Sequence, residues 1–303
     1  FMFNNTINID SVTKQFSIAG LSMSYNGPSR MYPADFDSFA IPANSKCDIT
    51  ISVAGSLSRN YPLEELVIET RDVCIFKKED GYFILFNIFS VIKECELYND
   101  GRVNLFYNIP SLKESGKCIH GVLNDIDYTT GTYEVFHAIR FAYLFFNQNR
   151  GIYALHSASI LYKDRLWLIS APSGTGKSTH AGIWNKVYGI PVINGDLNCI
   201  DVSKLPLIVK GTPWCGTSGI YDNKTYRLGG IILISQGKEN IVTPAERMDN
   251  VILSAANRLI SPSWTKDMLK SNINAAKIIC DNALIFSYSC DMSDNAAVVC
   301  REY

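Results

Sequence analysis

The chain has 303 residues, 47% hydrophobic and 19% charged, with a formal net charge of −1. That length allows two domains or one large one with a substantial core. The small net charge removes the electrostatic case for nucleic acid or an anionic membrane as partner.

Nothing in the chain approaches the run of roughly 18 apolar residues that spans a bilayer. The opening "FMFNNTINID" has no basic segment ahead of an apolar one, so no signal peptide is expected there. The nine cysteines are scattered and form no C-x-x-C pair. Buried, reduced thiols are expected rather than zinc ligands or disulfides, and with them a cytoplasmic setting.

Residues 2–130 read as a β-rich domain with a recognition or structural role. "KCDITISV" (Lys46–Val53), "DVCIFKKEDGYFILFNI" (Asp72–Ile88) and "GRVNLFYNI" (Gly101–Ile109) alternate apolar and polar residues between turn signals. A connecting helix over 131–150 follows, within the helical pattern Thr129–Gly151. There Val135, Phe136, Ile139, Ala142, Tyr143 and Phe146 hold three-and-four spacing. His137 on this helix is expected to pack rather than to bind a ligand.

Residues 151–303 have an α/β texture. Strands "IYALHSASILY" and "RLWLISA" flank a turn at Lys163–Asp164. A glycine-rich loop, a helix to about Tyr188 and a buried strand "IPVING" come next. Strands "NCIDV", "LPLIVKG" and "LGGIILIS" follow, then a helix expected to open at "TPAE", with Thr243 as cap, Pro244 in the first turn and Glu246 closing a capping box. A helix near Ser263, a strand "ALIFSYS" and a short helix from Ser293 complete the chain.

The stretch "LISAPSGTGKSTHAGIW" (Leu168–Trp184) carries the chemistry. A strand, a glycine-rich loop and a helix in that order form the setting of a phosphate-binding loop. Backbone N–H groups of Ser173, Gly174, Thr175, Gly176, Lys177 and Ser178 can converge on phosphate oxygens at a helix N-terminus. Lys177 would reach the β- and γ-phosphates of ATP, or of GTP. Ser178, with Thr179 behind it, would hold Mg²⁺ through its hydroxyl. Ala171 stands where the usual pattern has its first glycine; alanine costs little there unless φ is positive. Asp196, nineteen residues past Lys177, is the candidate carboxylate, as general base or as metal ligand.

The run "LHSASILYKDRLWLISAPSGTGKSTHA", followed by "VINGD", resembles the C-terminal catalytic domain of HPr kinase/phosphorylase and related bacterial kinases. The resemblance covers roughly residues 151–300 and is specific across its first fifty. It implies a phosphoenolpyruvate carboxykinase-like fold with the phosphate loop in a mixed sheet. It also implies a site built from a histidine before the loop, the loop, and an acidic pair after the next strand. His156 matches the histidine, and Asp196 matches the second acid. Gly195 takes the place of the first.

"GTPWCGTSGIYDN" (Gly211–Asn223) sits where the family has its own signature and does not reproduce it. It is similar instead to a clostridial-type group of HPr-kinase-related proteins of undefined substrate. Gly211, Gly216 and Gly219 suggest a loop that closes over the site. Trp214 and Cys215 are expected to pack, and His180 to pack or to lie on the adenine side rather than to act in catalysis. Lys224 and Arg227 either clamp phosphate or the acceptor, or are surface charges.

The expected function is an ATP-dependent kinase acting on a hydroxyl, a serine of a protein or peptide, with Asp196, His156 and Lys177 catalytic. A homo-oligomer is left open. The alternatives are a nucleotide-binding regulator without transfer activity and a kinase of a free amino acid or small metabolite.

Overall fold

The computed structural model describes residues 10–56, 65–108, 127–244 and 248–303. Packing divides the chain into two compact units, residues 1–143 and 144–303. The architecture is α+β, with two eight-stranded mixed sheets.

The first unit holds β1 (Ser11–Ile18), β2 (Leu21–Pro28), β3 (Ile49–Ser56), β4 (Glu65–Glu69), β5 (Val73–Lys78), β6 (Gly81–Phe86), β7 (Ile92–Tyr98) and β8 (Arg102–Asn108). Their order in the sheet is β1-β2-β3-β8-β7-β6-β5-β4. The pairs β2–β3 and β3–β8 are parallel. The hairpin β1–β2 turns on Ala19 and Gly20, both at positive φ, as a two-residue turn matched to strand twist requires. The run Asp72–Ile88 is the hairpin β5–β6. Cys118 and Ile109 lie outside the described residues.

Helix α1 (Tyr128–Gln148) follows. Its buried Glu134 carboxylate accepts backbone N–H groups of Ser90, Val91 and Ile92 at 2.5, 2.7 and 2.7 Å. On the same helix His137 packs its ring against Tyr133, centroids 4.3 Å apart.

The second unit comprises β9 (Ile152–Tyr162), β10 (Arg165–Ser170), α2 (Lys177–Tyr188), β11 (Val192–Asn194), β12 (Leu197–Asp201), β13 (Ile208–Lys210), β14 (Thr225–Gln236), β15 (Ile241–Pro244), α3 (Met248–Ala256), α4 (Lys266–Asn282), β16 (Leu284–Cys290) and α5 (Asn295–Glu302). Two long strands change partners along their length. β9 pairs β12 through Ile152–His156 and β10 through Ser157–Tyr162. β14 pairs β13 through Thr225–Arg227 and then runs parallel to both β10 and β16.

The parallel strands β10, β14 and β16 carry buried runs such as Ile231–Ile234 because both faces of that part of the sheet are covered. Ala275, Ala276 and Ile279 of α4 lie in the cluster on one face. Ala181 and Trp184 of α2, with Ala296 and Ala297 of α5, lie in the other.

Three expectations about elements need correction. Thr243 and Pro244 end strand β15, antiparallel to β16, and helix α3 starts only at Met248. Sheet pairing overrides the local helix-start signal, and Glu246 lies outside the described residues. The strand read from "IPVING" is three residues long, half-buried, and antiparallel to β9. Strands β1, β2, β4 and β7 have no counterpart in the sequence reading.

Eight cysteines among the described residues are free thiols; Cys47 and Cys74 are half-buried and the other six buried. Among the described residues no helix is long and apolar enough to cross a membrane.

Candidate functional site

The site forms where β10 ends at Ser170 and the chain turns through residues 171–176 into α2. Gly174 and Gly176 have φ of 76° and 105°, values open to glycine and costly for other residues. Ala171 is not among the residues at positive φ, so alanine in place of the first glycine brings no backbone strain. It is buried in the core beneath the loop, where its methyl group contributes packing.

Helix α2 starts behind Gly176 with no side-chain cap and no acidic residue in its first turn. Its first N–H groups therefore donate to no capping side chain and give the helix start its positive end. Ser173, Gly174, Ser178 and Thr179 are exposed.

Lys177 is 7% exposed, and its Nζ donates to the Ala171 carbonyl at 3.3 Å. Burial lowers its pKa; the Asp196 carboxylate opposes the shift and Arg258 adds to it. Lys177 thus shares one electrostatic environment with an acid and a second cation.

Asp196 sits between β11 and β12. Its Oδ1 lies 3.1 Å from His156 Nε2, with both side chains about a third exposed or less. The pairing follows from sheet register. His156 lies opposite Leu197, and Ser157 N donates to the Asp196 carbonyl at 3.0 Å.

Asn194 sets the turn. Its side-chain oxygen accepts Asp196 N at 2.8 Å and Leu197 N at 3.0 Å, and its amide donates to the Thr212 carbonyl at 3.0 Å. Ser170 donates to the His156 carbonyl at 2.8 Å and ties the end of β10 to the same point. The sequence signal for Asn194 is an Asx turn in "NGD".

Gly195 is glycine for a geometric reason. A Cβ there would fall 2.3 Å from Ser218 Oγ and 2.8 Å from the Cys215 carbonyl. Ser218 Oγ is held in place, donating to the Cys215 carbonyl at 2.7 Å and accepting Ile220 N at 3.1 Å. Across the same turn, a Cβ on Gly216 would lie 3.1 Å from Asp196 Cβ. The segment Gly211–Asn223 therefore packs directly on Gly195 and Asp196.

The remaining candidates separate cleanly. His180 is fully buried; its Nε2 accepts Trp184 Nε1 at 3.2 Å, and burial pushes its pKa down to about 4. Trp214 and Cys215 are buried. Lys224 and Arg227 are exposed and make no ion pair among the described residues.

Arg258, absent from the sequence reading, stands beside the site. A cavity of about 440 Å³ is lined by His156, Ala171, Pro172, Ser173, Ser254, Asn257, Arg258 and Ile260. A cavity of about 490 Å³ opens at the far end of β10, around Arg165 and Trp167, and includes none of these groups. The smaller cavity is the one that adjoins the chemistry.

No protein-family model matches the sequence, and no curated protein matches it. Among solved structures the chain is similar to the HPr(Ser) kinase/phosphatase from Coxiella burnetii, with a TM-score of 0.30 and 9% identity over 49% of this chain and 94% of that one. A likeness of that size carries no argument about activity.

Proposed function

We propose that the chain is an ATP-dependent kinase that transfers the γ-phosphate to a hydroxyl, with Lys177, Asp196 and His156 as its working side chains. The observation that carries this reading is the His156–Asp196 contact of 3.1 Å beside a glycine-rich loop whose lysine feels the same carboxylate.

The residues present fit a nucleotide. The start of α2 is uncapped, and two loop glycines sit at positive φ. Neither Ser178 nor Thr179 commits its hydroxyl to a hydrogen bond among the described residues. Ser178 and Asp196 would hold Mg²⁺, which needs only one or two protein oxygens beside the phosphates. When bound, the ion neutralises phosphate charge.

The chain's own groups divide the remaining work. Asp196, oriented by His156, accepts the proton of the acceptor hydroxyl. That oxygen forms the new bond to phosphorus as the bond to the β-phosphate oxygen breaks and ADP leaves. Lys177 and the loop N–H groups stabilise charge on the transferring group. A serine of a protein or peptide, or a free small molecule, would supply the hydroxyl.

One observation favours a second reading, a nucleotide-binding regulator without transfer. The position of the first acid of the pair is Gly195, and Ser218 occupies the space of its side chain.

Incubation with γ-labelled ATP, Mg²⁺ and cell extract separates the readings. A labelled protein or metabolite is expected, and Lys177→Ala should lower labelling by about 100-fold or more with an unchanged circular dichroism spectrum. ATP binding by the native chain with no labelled product would support the regulator instead.

A further inference from the structure

Among the described residues the guanidinium of Arg258 has no counter-ion. Its Nη1 donates to the Ser254 carbonyl at 3.3 Å and to the Ser254 hydroxyl. Its Nε is shielded from solvent and has no acceptor. No carboxylate pairs with Arg258 among the described residues, and Asp196 is engaged by His156.

A guanidinium cannot shed its proton under ordinary conditions. Leaving one half-buried and unpaired costs free energy that an oxyanion partner would offset. The backbone fixes it in that position. Arg258 O accepts His156 N at 3.1 Å, and Ile260 N donates to Ala154 O at 2.9 Å, so the turn after α3 is stitched to the first half of β9.

The cavity in front of it has a matching character. Its lining includes the hydroxyls of Ser173 and Ser254, the amide of Asn257 and the His156 imidazole, and no carboxylate. Such a surface offers donors to an oxyanion, and the nearest carboxylate, Asp196, stands behind His156 and is engaged by it. Its volume of about 440 Å³ suits a small molecule or one side chain with its neighbours.

We propose that Arg258 makes this cavity an oxyanion subsite beside the glycine-rich loop, and that the acceptor hydroxyl belongs to a compound carrying its own carboxylate or phosphate. The first half stands on the cavity and the unpaired guanidinium; the second rests on the kinase reading given above. In that arrangement the fork of Arg258 anchors the acceptor's acid group while the hydroxyl faces Asp196.

The test is a calorimetric titration of the full chain with inorganic phosphate and with malonate as probes, each with and without saturating MgADP. Native protein should bind at least one probe saturably, with MgADP already in place. Arg258→Gln should weaken that binding by about tenfold or more, and Arg258→Lys by less, because it keeps the charge and loses the fork. MgADP affinity should change less than about twofold in both variants.

Lys177→Ala should show the opposite pattern, losing MgADP and retaining the probe. Absence of saturable probe binding, or binding by Arg258→Lys and Arg258→Gln equal to native, would overturn the subsite. Competition between probe and MgADP would assign the oxyanion to the nucleotide and overturn the acceptor half. Failure of the native chain to bind MgADP would remove the kinase reading and with it the acceptor half, while titration with the probe alone still decides the subsite.

Discussion

Lys177 and His180 leave the same turn of α2, and both are buried. Lys177 keeps company with Asp196 and Arg258, whereas His180 packs its ring against Tyr288, centroids 5.6 Å apart. Burial pushes the His180 pKa down to about 4 from an ordinary 6.5. Between pH 6.5 and 4 the unfolded chain therefore binds more protons at this residue than the native one. Stability falls as pH drops through that window, by on the order of 3 kcal/mol in total. His180→Gln, which stays neutral and can still accept from Trp184, should flatten the thermal midpoint against pH over this range. Equal slopes in the variant and the native chain would show that another group carries the acid sensitivity. Transfer activity should persist in this variant, because His180 lies in the core beneath the loop rather than in the cavity.

The loop Gly211–Asn223 is the element that packs on the turn carrying Asp196. Its turn at Cys215–Ser218 fills the space a side chain on residue 195 would need, with Ser218 Oγ 2.3 Å and Ser218 Cβ 2.6 Å from an ideal Cβ. Gly195 and Ser218 should therefore be energetically coupled. Gly195→Ala is expected to destabilise by about 2 kcal/mol through overpacking. Ser218→Gly in the same chain should recover part of that, leaving the Cys215 carbonyl as the residual obstacle. Additive effects in a double-mutant cycle from urea unfolding would refute the coupling. It follows that introducing an acid at 195 is no route to higher activity, because the loop must first move. A local motif does not report this. "NGD" announces a turn, while the reason residue 195 lacks a side chain resides in Cys215 and Ser218, far later in the chain.

On the scale of the whole molecule, legibility tracked how local the determining interactions are. The hairpin at Lys163–Asp164 uses two positive-φ residues in sequence, and the strand–loop–helix of residues 165–188 is specified by its own glycines and apolar runs. Both were readable. Strand β15 was not, because pairing with Ser287 and Phe286 of β16, far along the chain, turns Thr243 and Pro244 into strand residues. Arg258 was equally opaque, since a lone arginine in "SAANRLI" acquires meaning only when β9 brings His156 beside it.

In the first unit the buried Glu134 is also a product of distance in sequence. It lies more than forty residues from Ser90, Val91 and Ile92, whose N–H groups it accepts. A carboxylate that gathers three backbone donors ties α1 to the segment before β7, and its removal leaves the buried Ile92 N–H without that partner. Glu134→Ala should therefore lower stability by about 2 kcal/mol, read from urea unfolding. Gln at this position should cost less, since it can satisfy some of the donors. MgADP affinity at 10 °C should match that of the native chain in both variants, because every group proposed to touch the nucleotide belongs to the second unit. A variant that folds natively by circular dichroism and has lost MgADP binding would show that the first unit contributes directly to the nucleotide site.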